Sequence, residues 1–575
     1  LGVLTYLDQQ KVGGKSLLES VEVLSTTSGG TITGARYAVG KKREESLEEI
    51  YEDIYRFLDN EDLISGSLEE LVSRQGRSGL RTNSLINAFA EIYSQKLFRG
   101  ERFGIIMQDN QPPSSHLKFV SFNATEFNTA LPFRFQWGEK RITRCKDIFG
   151  QEPERGIIGN KYNEIPEEAA CEIRMGDIAA ASSCFSGGFE PINFPHDFGL
   201  ENKVLSEKYL KPIGLMDGGI VDNQGFEPLF LANDLMKRNL YCGKVDGMDS
   251  GECSKLIDSS RHELDLIMLA DVCGPDMDSF QYTKENTKGF VRKLSIRFLG
   301  LTSIFILTLS ILGINYGFTH SFKLSPLLVV ISSGFAAISF LALVAQIGLL
   351  IFLLVKGRKT HDSDPDKTEK KKESEEKRSF YRLIRPQIGK FLRLRLGTLQ
   401  AMLSNRVGSV VKLASEVFLK HIRRLNYDTL YDDHTWSNRR IMSAIYELRP
   451  EKLKKKSELF KQFEFLKPSQ AIQKTSAIAA DMETTLWFTK KEKRDGMLDT
   501  LIASGQYNTC WNLLEYVCKL KVKIASLEKE KTIENLNLNE GHLQLIEQEK
   551  GLRDDWGKFQ KDPFWLVKQI ESKMD

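Results

Sequence analysis

The sequence predicts an α/β fold with a mostly parallel sheet, a two-helix transmembrane hairpin and a C-terminal helical region. Three observations carry this. Short apolar or β-branched runs alternate with helical patterns over the first 290 residues. Two long stretches without charge occupy the middle of the chain. Beyond a highly charged run, apolar periodicity returns and continues towards the end.

In chain order, Leu1–Leu7 reads as the inside of a helix. With no Met and no signal peptide ahead of it, natural sequence is expected to precede it. Val21–Leu24 is a short strand, and Thr31–Val39 a helix behind a Ser-Thr-Thr-Ser-Gly-Gly turn. Further strands are predicted at Leu117–Asn123, Ile213–Met216 and Leu264–Ala270, and helices at Ser46–Leu58 and Leu80–Phe98. This organisation places a catalytic domain over 1–290. Transmembrane helices follow at 298–316 and 326–355, then a charged flexible linker at 356–378. A helical region at 379–520 is read as completing the first domain, and 521–575 is a charged helical tail.

The membrane reading rests on length. No charge occurs from Phe298 to Thr319 or from Leu324 to Val355, and a bilayer core needs about 20 apolar residues in a helix. The competing reading is a pair of buried core helices. Arg292, Lys293 and Arg297 precede the first span, and Lys356, Arg358 and Lys359 follow the second. The short connection carries only His320 and Lys323, so both outer ends are expected on the cytoplasmic side of the plasma or inner membrane. Beyond the linker, Leu392, Leu394, Leu396 and Leu399 alternate with Lys390, Arg393 and Arg395. This segment suits either anionic headgroups or packing on the catalytic core.

Composition excludes several classes. Apolar residues make up 41% and charged residues 27%, ordinary for a packed core. A net charge of +3 is too small to point to nucleic acid. Eight scattered cysteines without a CxxC pair fit a reducing compartment. No zinc-type spacing and no Walker motif occurs, and Asp362–Asp366 lacks the Gly and Glu of a calcium loop, so no cofactor is expected.

Two constellations carry chemistry. In Thr26-Thr27-Ser28-Gly29-Gly30, a serine stands between a strand and a helix. A tight turn there exposes its hydroxyl, and the N–H of Gly29 at the helix start can face a developing oxyanion. In Met216-Asp217-Gly218-Gly219, a carboxylate ends an apolar strand and can accept a proton from a serine. Taken singly, each motif is also compatible with an ordinary turn or, for the first, a phosphate cradle.

Together they resemble the patatin-like phospholipases. That family pairs a serine in a G-x-S-x-G elbow with an aspartate in a D-G-G/A motif. Ser28 and Asp217 stand at those positions, with Thr26 replacing the first Gly. Asn123-Ala124-Thr125-Glu126-Phe127 resembles the family's strand-end A-T-D segment. Ala181–Cys184 through Phe189–Pro191 resembles its A-S-x-A-x-P segment, with Ser186 at the usual proline.

The resemblance implies a three-layer sandwich and a lipid acyl hydrolase working through an acyl-serine. Ser28 is the nucleophile, Asp217 the base, and Gly29 one oxyanion donor, with the Gly-rich oxyanion loop expected upstream of Leu1. The implied partner is a membrane phospholipid or other acyl-lipid. The alternatives are a catalytically impaired membrane scaffold, a lipid transacylase, or a histidine-dependent triad through His262, with His116 and His196 as lesser candidates.

Overall fold

The computed structural model describes residues 1–74, 81–108, 115–138, 157–199, 212–242, 264–272, 279–284, 293–319, 325–355, 390, 393–482, 486–529 and 538–574. The charged run at 356–378 and His262 lie outside them. Contacts divide the chain into two units, Leu1–Met277 with Leu413–Asp575, and Asp278–Lys412.

In the first unit, α1 (Gly2–Gln9) leads into a small hairpin, β1 (Lys11–Val12) and β2 (Lys15–Ser16). Then come β3 (Val23–Thr27), α2 (Gly29–Lys42), α3 (Leu47–Asn60), α4 (Leu63–Arg74) and α5 (Leu85–Ile92). Ser46 and Glu49 form a capping box that starts α3. The helix expected at Leu80–Phe98 starts at Leu85, where Ser84 caps it, and ends in a wider π turn at Tyr93–Leu97. Next follow β4 (Phe119–Glu126), β5 (Leu131–Gly138), α6 (Met175–Ser182), β6 (Ile192–Phe194), β7 (Ile213–Asp217), α7 (Phe226–Cys242) and β8 (Ile267–Asp271).

The sheet is mixed, which corrects the expectation of a mostly parallel one. Within it only β3 and β4 run parallel. Strand β5 returns antiparallel along the whole of β4, from Phe119↔Gly138 to Glu126↔Leu131. A strand has two edges, so the other edge of β4 is shared. Strand β3 pairs with residues 119–123 and β7, antiparallel, with 124–126. Strand β6 adds antiparallel to β7.

Both faces of this sheet are covered. Val120, Phe122 and Ala124 point into the main core with residues of α2 and α6. Phe119 points the other way, onto Leu231, Ala232 and Leu235 of α7. Two helical layers thus enclose the sheet.

The second unit holds α8 (Ile296–Thr319), α9 (Ser325–Val355) and α10 (Leu396–Lys412). Helices α8 and α9 pack side by side, with Gly313 of one against Ser332 of the other. Leu301, Phe305, Leu312, Phe335 and Leu341 are exposed on them. Among the described residues, one helix is long and apolar enough to cross a membrane, over Arg297–Tyr316. In α9 the apolar stretch found is the shorter Val329–Leu341.

The chain then returns to the first unit with α11 (Phe418–Asp432), β9 (Arg440–Ala444), α12 (Gln470–Asp481), α13 (Met497–Lys529), α14 (Leu538–Lys561) and α15 (Trp565–Met574). Within the region read as helical, 379–520, stands a strand, β9. It pairs in parallel with β8, Ile267↔Arg440 to Asp271↔Ala444, in a separate two-stranded sheet. The pairing buries Ile441, Ser443 and Ala444. Helix α13 is a core element: Tyr507, Cys510, Trp511 and Leu514 are fully buried, and large apolar side chains of this kind stabilise by about 2–3 kcal/mol each. It packs on α1, where Gln506 Nε2 donates to Thr5 Oγ1 at 3.0 Å.

Candidate active site

The site forms where β3 and β7 meet end to end along β4. Thr27 pairs with Asn123 and Asp217 with Ala124, adjacent residues of one strand. The chain leaves β3 through Ser28, whose φ of 55° and ψ of −135° are an uncommon combination for a residue with a side chain. Such a conformation costs on the order of 1–3 kcal/mol and persists only where its surroundings impose it. Here it turns the side chain away from the strand, and the Oγ donates to Asp217 Oδ2 at 2.6 Å.

The serine is held by a polar network. Its N–H donates to Ser182 Oγ at 3.0 Å, and Ser182 Oγ donates to the Asn123 carbonyl at 2.7 Å. Thr31 in α2 shares a 2.7 Å hydrogen bond with Ser182. Asn123 Nδ2 donates to Ser25 Oγ and to the Thr26 carbonyl, both at 2.9 Å. Sequence reasoning gave no role to Ser182 or Asn123, although both belong to the two accessory segments. Their spacing shows presence, but hydrogen-bond partners depend on the fold.

Asp217 is 5% exposed, and the N–H of Gly219 donates to its Oδ1 at 2.7 Å. Burial pushes its pKa up to about 6, against the opposing pull of the Ser28 and Gly219 hydrogen bonds. The turn behind it is pinned. Thr27 Oγ1 donates to the Asp222 carbonyl at 3.1 Å, and the Asp222 side chain accepts from the N–H groups of Phe226 and Glu227 at the start of α7. Asn426 of α11 donates to Asp222 Oδ1 at 3.1 Å and to Gln224 Oε1 at 3.2 Å.

The glycines differ in what they do. A Cβ on Gly218 would collide with the Asn123 carbonyl, so the aspartate's turn can approach β4 only without a side chain there. Gly219 lies close to Asn223 and Asp217. Gly30 faces open space. Gly29 opens α2, so its N–H belongs to the first turn, where helical N–H groups lack intrahelical partners. Leu486 lies against it, bringing the far end of the chain to the serine. Thr26, which replaces the usual first Gly of the elbow, is accommodated: its methyl group fills the space left by Gly34 of α2, and its hydroxyl bonds Thr31 Oγ1 at 3.1 Å.

The two described histidine candidates stand away from this pair. His116 bonds the Val21 carbonyl at 2.7 Å and Tyr37 OH at 2.8 Å, beyond the amino end of β3. Seven residues of extended chain separate Val21 from Ser28, roughly 23 Å. His196 follows β6, whose Phe194 pairs with Ile213 at the start of β7. Among the described residues, no group of three His, Cys, Asp or Glu side chains is placed to hold a metal ion.

Residues 1–230 match the family model of the patatin-like phospholipases. The chain carries a patatin-like phospholipase domain. The family acts on lipid esters, and its domain is α/β, as is the unit built around this sheet. Neither a curated protein nor a solved structure matches the chain. The matched segment of the patatin-like domain includes Ser28, Asn123, Ser182 and Asp217, whereas Leu486 and Asn426 lie beyond it.

Proposed function

We propose that the chain is a membrane-anchored lipid acyl hydrolase that cleaves carboxylic esters through an acyl-Ser28 intermediate. The observation that carries the reading is the 2.6 Å hydrogen bond from Ser28 Oγ to Asp217 Oδ2. Asp217 takes the serine proton as Oγ attacks the ester carbonyl. The N–H of Gly29 faces the oxyanion, and the alcohol leaves with the proton that Asp217 returns. Water, deprotonated by the same carboxylate, then releases the fatty acid and frees Ser28. The substrate is a phospholipid or another acyl-lipid.

A carboxylate must be ionised to act as a base. With a pKa of about 6 for Asp217, labelling of Ser28 by a fluorophosphonate probe is expected to be slow at pH 5. It should rise about tenfold for each pH unit well below 6 and level off above it. Labelling that ignores pH, or that falls on another residue, would remove Asp217 as the base.

Helices α8 and α9 are the proposed anchor. On this reading their basic outer flanks favour the cytoplasmic side for the rest of the chain. An anchored site works on lipid at high local concentration. After alkaline carbonate washing the protein is expected in the membrane pellet, and release into the supernatant would end this part of the proposal.

A further inference from the structure

Along α11, Lys420, Arg423, Arg424, Tyr427 and Tyr431 recur at steps of three, four and one residue, which puts all five on one face. With Met442 of β9 and Tyr446 behind it, they line a cavity of about 220 Å³. Three of these seven residues are cations, and none is a carboxylate.

The central cation is built in. Arg423 is 4% exposed; its Nε donates to Asp271 Oδ2 at 2.8 Å and its terminal nitrogen to Tyr446 OH at 3.0 Å. Tyr427 OH donates to the same carboxylate oxygen at 2.6 Å. Asp271 therefore stands behind Arg423, offsets the cost of burying its charge and fixes the guanidinium plane. That plane lies 5.5 Å from the Tyr427 ring and 5.7 Å from the Tyr446 ring. Arg440 covers the Tyr431 ring at 3.9 Å and Lys452 the Tyr446 ring at 5.8 Å, bringing two further cations to the aromatic walls.

Asp271 balances the charge of Arg423, so the net positive field at the cavity comes from Lys420 and Arg424, and a concave surface of net positive charge concentrates anions. Arg423 is held by Asp271 and Tyr446, and beside it the exposed Arg424 guanidinium has the planar donor geometry that matches the oxygens of phosphate. The ring faces and Met442 give a small carrier group an apolar wall. The volume suits a small headgroup rather than an acyl chain.

We propose that this cavity binds a phosphate monoester, either free in solution or on a lipid headgroup. The site is separate from the Ser28–Asp217 pair, and binding is read without turnover, so it stands or falls independently of the hydrolase assignment. Asn426 on the flank of the same helix donates to Asp222, so the helix that lines the cavity also touches the turn that follows Asp217.

The test uses the full chain in detergent, titrated with inorganic phosphate against chloride at equal ionic strength. A second arm uses mixed micelles of phosphatidylcholine with and without phosphatidic acid. Inorganic phosphate is expected to raise the unfolding midpoint in a saturable way if a free phosphate suffices. A response confined to phosphatidic acid identifies the lipid headgroup as the source. The double variant Lys420→Glu with Arg424→Glu is expected to weaken the response at least tenfold. Arg424→Gln, at an exposed position, gives the milder change should the double variant fold poorly. No response to either phosphate or phosphatidic acid overturns the proposal, as do titrations that superimpose for the parent and Arg424→Gln.

Discussion

Ser28→Ala is expected to lower ester hydrolysis by about four orders of magnitude or more, with Asp217→Asn close behind. Residues that act as one catalytic unit fail together, so the double variant is expected to be hardly worse than either single one. The fold should persist. Ser28 is only part-buried, and alanine tolerates its backbone angles about as well as serine does. Asparagine keeps the size of the Asp217 side chain but cannot take a proton. The measurement is steady-state release of fatty acid from mixed micelles, paired with thermal unfolding of each variant. Turnover that survives in a well-folded Ser28→Ala chain would favour the reading of a membrane scaffold that has kept the fold for binding.

Gly34→Ala is expected to destabilise the catalytic unit by roughly 1–3 kcal/mol, the usual cost of overpacking a close contact. The added methyl would meet the Thr26 side chain, which occupies the gap between β3 and α2. Thr26→Gly in the same chain is expected to recover most of that loss, although Thr26→Gly alone is itself unfavourable in a strand. A double-mutant cycle by denaturant unfolding isolates the coupling, expected to exceed about 1 kcal/mol. Additive losses would mean that the two side chains do not share the space. Activity adds a second readout, because the Thr26–Thr31 hydroxyl pair leads directly to Ser182 and the Ser28 amide.

The serine and the aspartate were legible because each stands where a strand gives way to glycine, a pattern local in sequence. Strand direction was not. The interval between Leu117–Asn123 and Ile213–Met216 reads as room for a crossover, yet β7 returns antiparallel and pairs with β6. Local composition carries no signal for that choice. Strand β5 carries an alternation in Phe133, Phe135 and Trp137, all buried, but the run is short and lies beside longer helical patterns. Strand β9 is five residues long among helices, and its partner lies more than 160 positions earlier, so only the fold reveals it. The compensation of Thr26 by Gly34 was equally hidden, since it depends on how closely α2 crosses β3.

The shared edge of β4 makes that strand a ruler. The gap between Ser28 and Asp217 is set by one peptide step, Asn123 to Ala124, and not by the 189 positions that separate them along the chain. Connections on either side can lengthen or shorten in evolution without moving the two groups apart. A single residue gained or lost inside β4 would shift one strand end against the other by about 3.3 Å, more than the hydrogen bond can span. The tolerance of this chain to insertion is therefore uneven, generous in the connections that flank the strand and nearly nil within the strand itself.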